Sequence, residues 1–190
     1  MTSELEIVDS LARGNVEAAA VAALELYGDP VLRYLTALLR NEETAREVFS
    51  QFAEDLWRGL PGFRHECSFR AWCYRLAGNA AARHMRDPWR RRAEPLTSRK
   101  ISALVQSIGT SGRAPGGRRS LLAALREQLA PEEEALLALR LDRELEWEEV
   151  AHVLSSAGEQ ASPDALRKRY ERLRQKLVRM ARDAGLLDQR

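Results

Sequence analysis

The chain has 190 residues, 45% apolar and 31% charged, which can fill a core and excludes wholesale disorder. It has no run of about 18 uncharged apolar residues, so no transmembrane helix is expected, and the opening MTSELEIVDS lacks the basic start and apolar stretch of a secretory signal. Its net charge of +2 hides a segregation: residues 1–87 hold 10 basic and 13 acidic side chains, 88–120 hold 8 and 1, 121–160 hold 3 and 10, and 161–190 hold 9 and 4. Aromatic residues make up only 6%, and Ala, Leu, Arg and Glu abound, a composition that favours helix over sheet. Two cysteines, Cys67 and Cys73, are too few for a disulfide scaffold and fit a reducing cytoplasm.

In chain order, residues 4–12 and 16–27 are expected to be helical. Asp29-Pro30 reads as a cap followed by Pro at the first helical position. Val31, Leu32, Leu35, Leu38 and Leu39 then keep helical spacing. Residues 42–57 form a further helix, with Val48, Phe49, Phe52 and Leu56 at intervals of three to four, and Pro61-Gly62 breaks it. Ser68 can cap the next, which runs through Phe69, Trp72, Cys73, Leu76 and Ala80 to about Arg86, where Pro88 discourages continuation. The stretch 88–120, with Pro88, Pro95, Pro115 and four glycines, reads as a flexible linker with a short helix near 100–107. Past it, 121–129 is helical. Pro131 opens another helix with Glu132, Glu133 and Glu134 in its first turn, where the macrodipole favours acids. Residues 147–154 are short and apolar on one face. Ser162-Pro163-Asp164 starts a last helix to about Ala184, and nothing reads as a strand.

Two segments carry functional signal. On the last helix Leu166, Tyr170, Leu173 and Leu177 form one apolar seam, while Arg167, Lys168, Arg169, Arg172, Arg174, Lys176 and Arg179 occupy the other faces. A helix-turn-helix needs that arrangement, because its second helix packs along one stripe and still presents side chains to the major groove. A solvated helix hairpin with scattered charge is the plainer alternative. The helix from Ser68 to Arg86 mixes Phe69, Trp72 and Tyr74 with Arg70, Arg75, Arg83 and Arg86. Rings stack on unpaired bases while cations hold the backbone; the alternative is that Phe69 and Trp72 are core.

The string CSFRAWCYRLAGNAAARHMRD, residues 67–87, resembles the promoter-melting and −10-reading stretch of bacterial extracytoplasmic-function (ECF) sigma factors. TAREVFSQFAEDLW, residues 44–57, is similar to the helix before it, which meets the clamp of RNA polymerase. LAPEEEALLALRLDRELEWEEVAHVL and ASPDALRKRYERLRQKL resemble the family's C-terminal helix-turn-helix. The resemblance implies an all-α chain of two small helical domains. One spans 1–90 and binds the polymerase clamp and the −10 element. A flexible basic linker follows over 91–120, then a helix-turn-helix domain over 121–190 for the −35 element. Carried over residue by residue, Glu47, Val48, Gln51, Phe52 and Asp55 fall on the polymerase-binding helix, with Trp57 packing nearby. Ser68, Phe69, Arg70, Arg75, Asn79 and Arg83 fall at the −10 strand, with Trp72 as the leading core candidate. Arg167, Lys168, Glu171 and Arg172 fall on the −35 recognition face, while Leu166, Arg169 and Tyr170 pack or touch backbone.

Two departures stand out. Arg46, Ser50 and Gln51 dilute the acidic run usual on the clamp helix, and SSAGEQAS, residues 155–162, is longer than the usual turn before the recognition helix. The implied partners are RNA polymerase core and promoter DNA, and an anti-sigma factor is one the family often adds. No cofactor and no membrane insertion are expected. His65, Cys67, Cys73 and His84 match no common zinc spacing, and no phosphate loop or nucleophile–base signature occurs, so an enzyme is not expected. The competing functions are a free-standing helix-turn-helix regulator and a sigma-like protein-interaction module.

Overall fold

A computed structural model of the chain describes residues 3–86, 125–126, 128–155 and 161–184. The fold is all-α: every regular element among the described residues is helical. The expected linker, the short helix near 100–107 and most of the 121–129 helix lie outside those residues, as do 156–160 of the long turn. The chain divides into two compact units, Met1–Gly112 and Arg113–Arg190.

The first unit holds α1 (Glu4–Ala12), α2 (Val16–Leu39), α3 (Glu42–Gly59) and α4 (Phe69–Arg86), with a 3₁₀ turn at Leu60–Gly62 after α3. Side chains set three of the starts by accepting backbone N–H groups that a helix leaves unpaired. Asn15 accepts from Ala18 at 3.0 Å, Asn41 from Thr44 at 2.8 Å, and Ser68 Oγ from Ala71 at 3.1 Å. α2 packs against α1, α3 and α4, and α3 packs against α4. Ile7, Leu24, Leu35, Phe49, Phe52 and Leu56 are buried between them. Ala19, Ala23, Ala45, Ala77 and Ala81, also buried, keep the contacting faces small. Tyr34 and Tyr74, both buried, meet edge to face with centroids 5.4 Å apart. Burial, reinforced by Tyr74, pushes the Tyr34 phenol far up.

α2 runs straight through Pro30, so Asp29-Pro30 does not start a helix. Proline lacks the N–H that would pair with the carbonyl four residues back, at a cost of about 3 kcal/mol inside a helix. Buried side chains on both sides of it, Ala23 and Leu24 before and Val31, Leu32 and Leu35 after, are worth more. At about 1.5–3 kcal/mol for each fully buried Val or Leu, three of them outweigh the missing bond.

The second unit holds α5 (Pro131–Leu137), which winds on as a π-helical turn over Ala138–Asp142, then α6 (Trp147–Leu154) and α7 (Pro163–Asp183). Pro131 opens α5 as expected, and the Ala130 N–H donates to Glu133 Oε2 at 2.9 Å. Likewise the Glu146 N–H donates to Glu149 Oε2 at 3.0 Å at the start of α6. Ser162, expected to cap α7, makes no side-chain capping bond; Pro163 sets the first turn with its fixed φ. α7 packs against α5 and α6. Leu166 and Leu173 are buried, and Tyr170 and Leu177 are partly buried beside Leu129, Leu137 and Leu173. The Arg126 guanidinium holds the unit's edge. It donates through Nε to Glu134 Oε1 at 2.9 Å and through Nη2 to Asp142 Oδ2 at 2.7 Å. Burial works against the Arg126 charge, but the hydrogen bonds to Asp142 and Glu134 outweigh it and raise its pKa.

Candidate functional site

α3 turns its apolar seam inward and an acidic face outward. Glu47 is exposed; Gln51 and Asp55 are half-buried one and two turns further on. Gln51 Nε2 donates to Glu54 Oε2 and to Asp55 Oδ1, both at 3.3 Å. Glu54, nearly buried, also accepts from Arg58 Nη2 at 3.3 Å. Val48 and Phe52, expected among the polymerase contacts, are core side chains at 2% and 0% exposure. They sit on the seam α3 buries, so they support the acidic face rather than form part of it. Trp57 is half-buried.

On α4, Arg75, Asn79 and Arg83 recur every four residues and so share one face. Asn79 and Arg83 are exposed and Arg75 is half-buried. Ser68 is exposed at the start of α4, with its hydroxyl engaged in the cap. Arg70 is half-buried and close enough to Tyr27 to act on its phenol. Burial, then the hydrogen bond to Glu4, raises that phenol's pKa, and Arg70 offsets part of the shift. Phe69 departs from expectation. It is 6% exposed, its ring 5.9 Å from Tyr27, 5.3 Å from Phe63 and 5.4 Å from Trp72. A ring enclosed on those sides does not offer a face to a base. Trp72 is core, as expected, also packed on Phe63 at 5.0 Å. A Cβ added at Gly59 would come within 3.0 Å of the Trp72 indole, so α3 and α4 meet closely there.

Arg83 Nη2 donates to Asp55 Oδ2 across 28 residues of sequence. The expected polymerase-facing acid and the expected −10-facing cation are therefore bonded to each other, and the acidic face of α3 adjoins the basic face of α4. Periodicity within a helix could not show that pairing, because it joins two helices. The loop between them holds His65 at φ 56°, its ring 4.5 Å from Phe63. Cys67 is half-buried and Cys73 fully buried, the latter's thiol pushed up chiefly by burial. Among the described residues no group of three or more His, Cys, Asp or Glu is placed to hold a metal ion.

On α7, Arg167, Lys168, Glu171 and Arg172 are exposed together on the first half of the helix. Arg167 Nη1 donates to Asp164 Oδ1 at 2.6 Å, and its Nη2 lies 3.4 Å from Glu148 Oε1 on α6. Glu171 Oε2 accepts from Arg174 at 3.1 Å, and Arg172 Nε donates to the Lys168 carbonyl at 3.3 Å. Glu148 and Trp147, both on α6, neighbour Arg167, a contact that spacing within α7 does not contain.

Residues 23–91 match the family model of sigma-70 region 2. The match begins inside α2, takes in α3 and α4, and so contains both charged faces. It supports a sigma-70-type factor, and region 2 implies binding to RNA polymerase and promoter melting. No curated protein matches the chain. Among the described residues no helix is long and apolar enough to cross a membrane.

Proposed function

We propose that the chain is an alternative sigma factor of the ECF kind: a cytoplasmic, non-enzymatic factor that directs RNA polymerase core to particular promoters. The observation that carries this is the region 2 match lying on a helix pair whose outward surface passes from acid to base at Asp55 and Arg83. Glu47, Gln51 and Asp55 meet polymerase. Arg70, Arg75, Asn79 and Arg83 hold the opened −10 strand, with cations neutralising its phosphates. The second unit reads the −35 element as a helix-turn-helix. The buried seam of Leu166 and Leu173, beside partly buried Tyr170 and Leu177, supports this because it leaves Arg167, Lys168, Glu171 and Arg172 outward. Arg and Glu there suit guanine and cytosine edges respectively.

The decisive experiment is co-purification with core polymerase followed by runoff transcription from a genomic promoter library. Polymerase-dependent initiation at selected start sites is expected; co-purification without initiation would reduce the protein to an interaction module. Within that assay Arg75→Ala should cut open-complex formation, read as permanganate reactivity of −10 thymines, without lowering the melting temperature. If Arg75 contacts one phosphate, the slope of log affinity against log salt should fall by about one. An unchanged slope with unchanged opening would remove Arg75 from the strand path.

A further inference from the structure

Arg167 is held from three sides. Its Nη1 donates to Asp164 Oδ1 at 2.6 Å, and its Nη2 lies 3.4 Å from Glu148 Oε1. The guanidinium carbon stands 5.9 Å from the centroid of the Trp147 ring, which also has Arg140 at 5.2 Å. Asp164 sits one turn before Arg167 on α7 itself. Glu148 is different: it belongs to α6 and reaches across to the cation from outside the recognition helix. Its side chain is 70% exposed, so it contributes nothing to the core.

We propose that Glu148 is a specificity-determining residue for DNA: it sets a carboxylate beside Arg167 that repels an approaching phosphate but not the neutral edge of a guanine. This rests on α7 being the DNA-recognition helix. A phosphate brings its own negative charge up against Glu148 and Asp164, which cancels part of its attraction to Arg167. The guanine O6 and N7 accept two donors at once in the plane of the guanidinium, a bidentate contact that discriminates strongly against other bases. Both Nη atoms lie near carboxylates, and a guanine edge, carrying no net charge, is not repelled by them. The Trp147 ring keeps the guanidinium plane near the α6–α7 junction while partners exchange. Glu148 also places a negative charge where a passing phosphate would approach, which penalises non-specific contacts selectively.

The test uses the full chain assembled with RNA polymerase core and a pool of random-sequence duplexes. Wild type, Glu148→Gln, Arg167→Ala and the double variant are compared by the sequences they retain and by affinity for an unrelated duplex. Arg167→Ala should erase base preference at one upstream position and so identify it. Glu148→Gln, isosteric and solvent-exposed, should flatten preference at that same position and raise affinity for the unrelated duplex by about two- to fivefold, the range an exposed ion pair commands. In the Arg167→Ala background, Glu148→Gln should change neither, an outcome that a general structural role for Glu148 would not produce. The proposal is overturned if Glu148→Gln leaves the preference intact, or if its effect survives without Arg167. If the wild-type assembly enriches no upstream sequence, the recognition-helix reading itself fails, and the proposal with it.

Discussion

Trp72→Ala is expected to lower the stability of the first unit by about 3–5 kcal/mol, the range for truncating a buried Trp. Its ring touches Phe63 and Phe69 and lies against Gly59, so the void opens where the end of α3 meets the start of α4. Rings are poor fillers of such a space, because Phe63 and Phe69 are each held by further ring contacts. For a domain of this size the melting temperature should fall by on the order of 15–30 °C. Circular dichroism of the full chain would show it, and polymerase binding and DNA binding should be lost together. Arg75→Ala, half-exposed, should stay within about 0.5 kcal/mol of the parent. A Trp72→Ala variant melting within a few degrees of the parent would place the ring outside the core.

Arg126→Ala should cost the second unit about 3 kcal/mol near neutral pH, because it withdraws the guanidinium from a carboxylate that stays buried. Glu134 is 2% exposed, whereas Asp142, the other acceptor, is exposed and can turn to water. Glu134→Gln in the same background should restore most of the loss, since the amide carries no charge to desolvate. A double variant with a urea midpoint as low as that of Arg126→Ala alone would mean that the carboxylate is not the source of the cost.

Local chemistry was the most legible part of the sequence. The Ser68 cap, the start at Pro131, the bounds of α6 and the seam from Leu166 to Leu177 all follow from residues within one or two turns of each other, and the structure has them. Asp29-Pro30 misled for the same reason: the pair has a helix-start pattern, and only the burial of Val31, Leu32 and Leu35 against other helices makes α2 continuous. Phe69 was ambiguous on its own helix, where aromatics and cations alternate. Tyr27 on α2 and Phe63 in the preceding loop enclose it, and neither lies on α4. The site divides the same way. The residue types on each face could be read from spacing, but Asp55 with Arg83, and Glu148 with Arg167, are pairs between helices that no single-helix pattern contains.

The order in which the first four helices pack has a kinetic consequence. Each helix of that unit packs against its neighbour in sequence, and α2 also packs against α4. Short closures of this sort place helical domains among the fast folders, in microseconds to milliseconds. Translation is far slower, at about 5–20 residues per second, so adding the stretch from Arg113 to Arg190 takes roughly 4–16 s after the first unit's last residue is joined. The first unit thus has ample time to complete its core on the nascent chain, before the second unit exists to compete for its apolar surfaces.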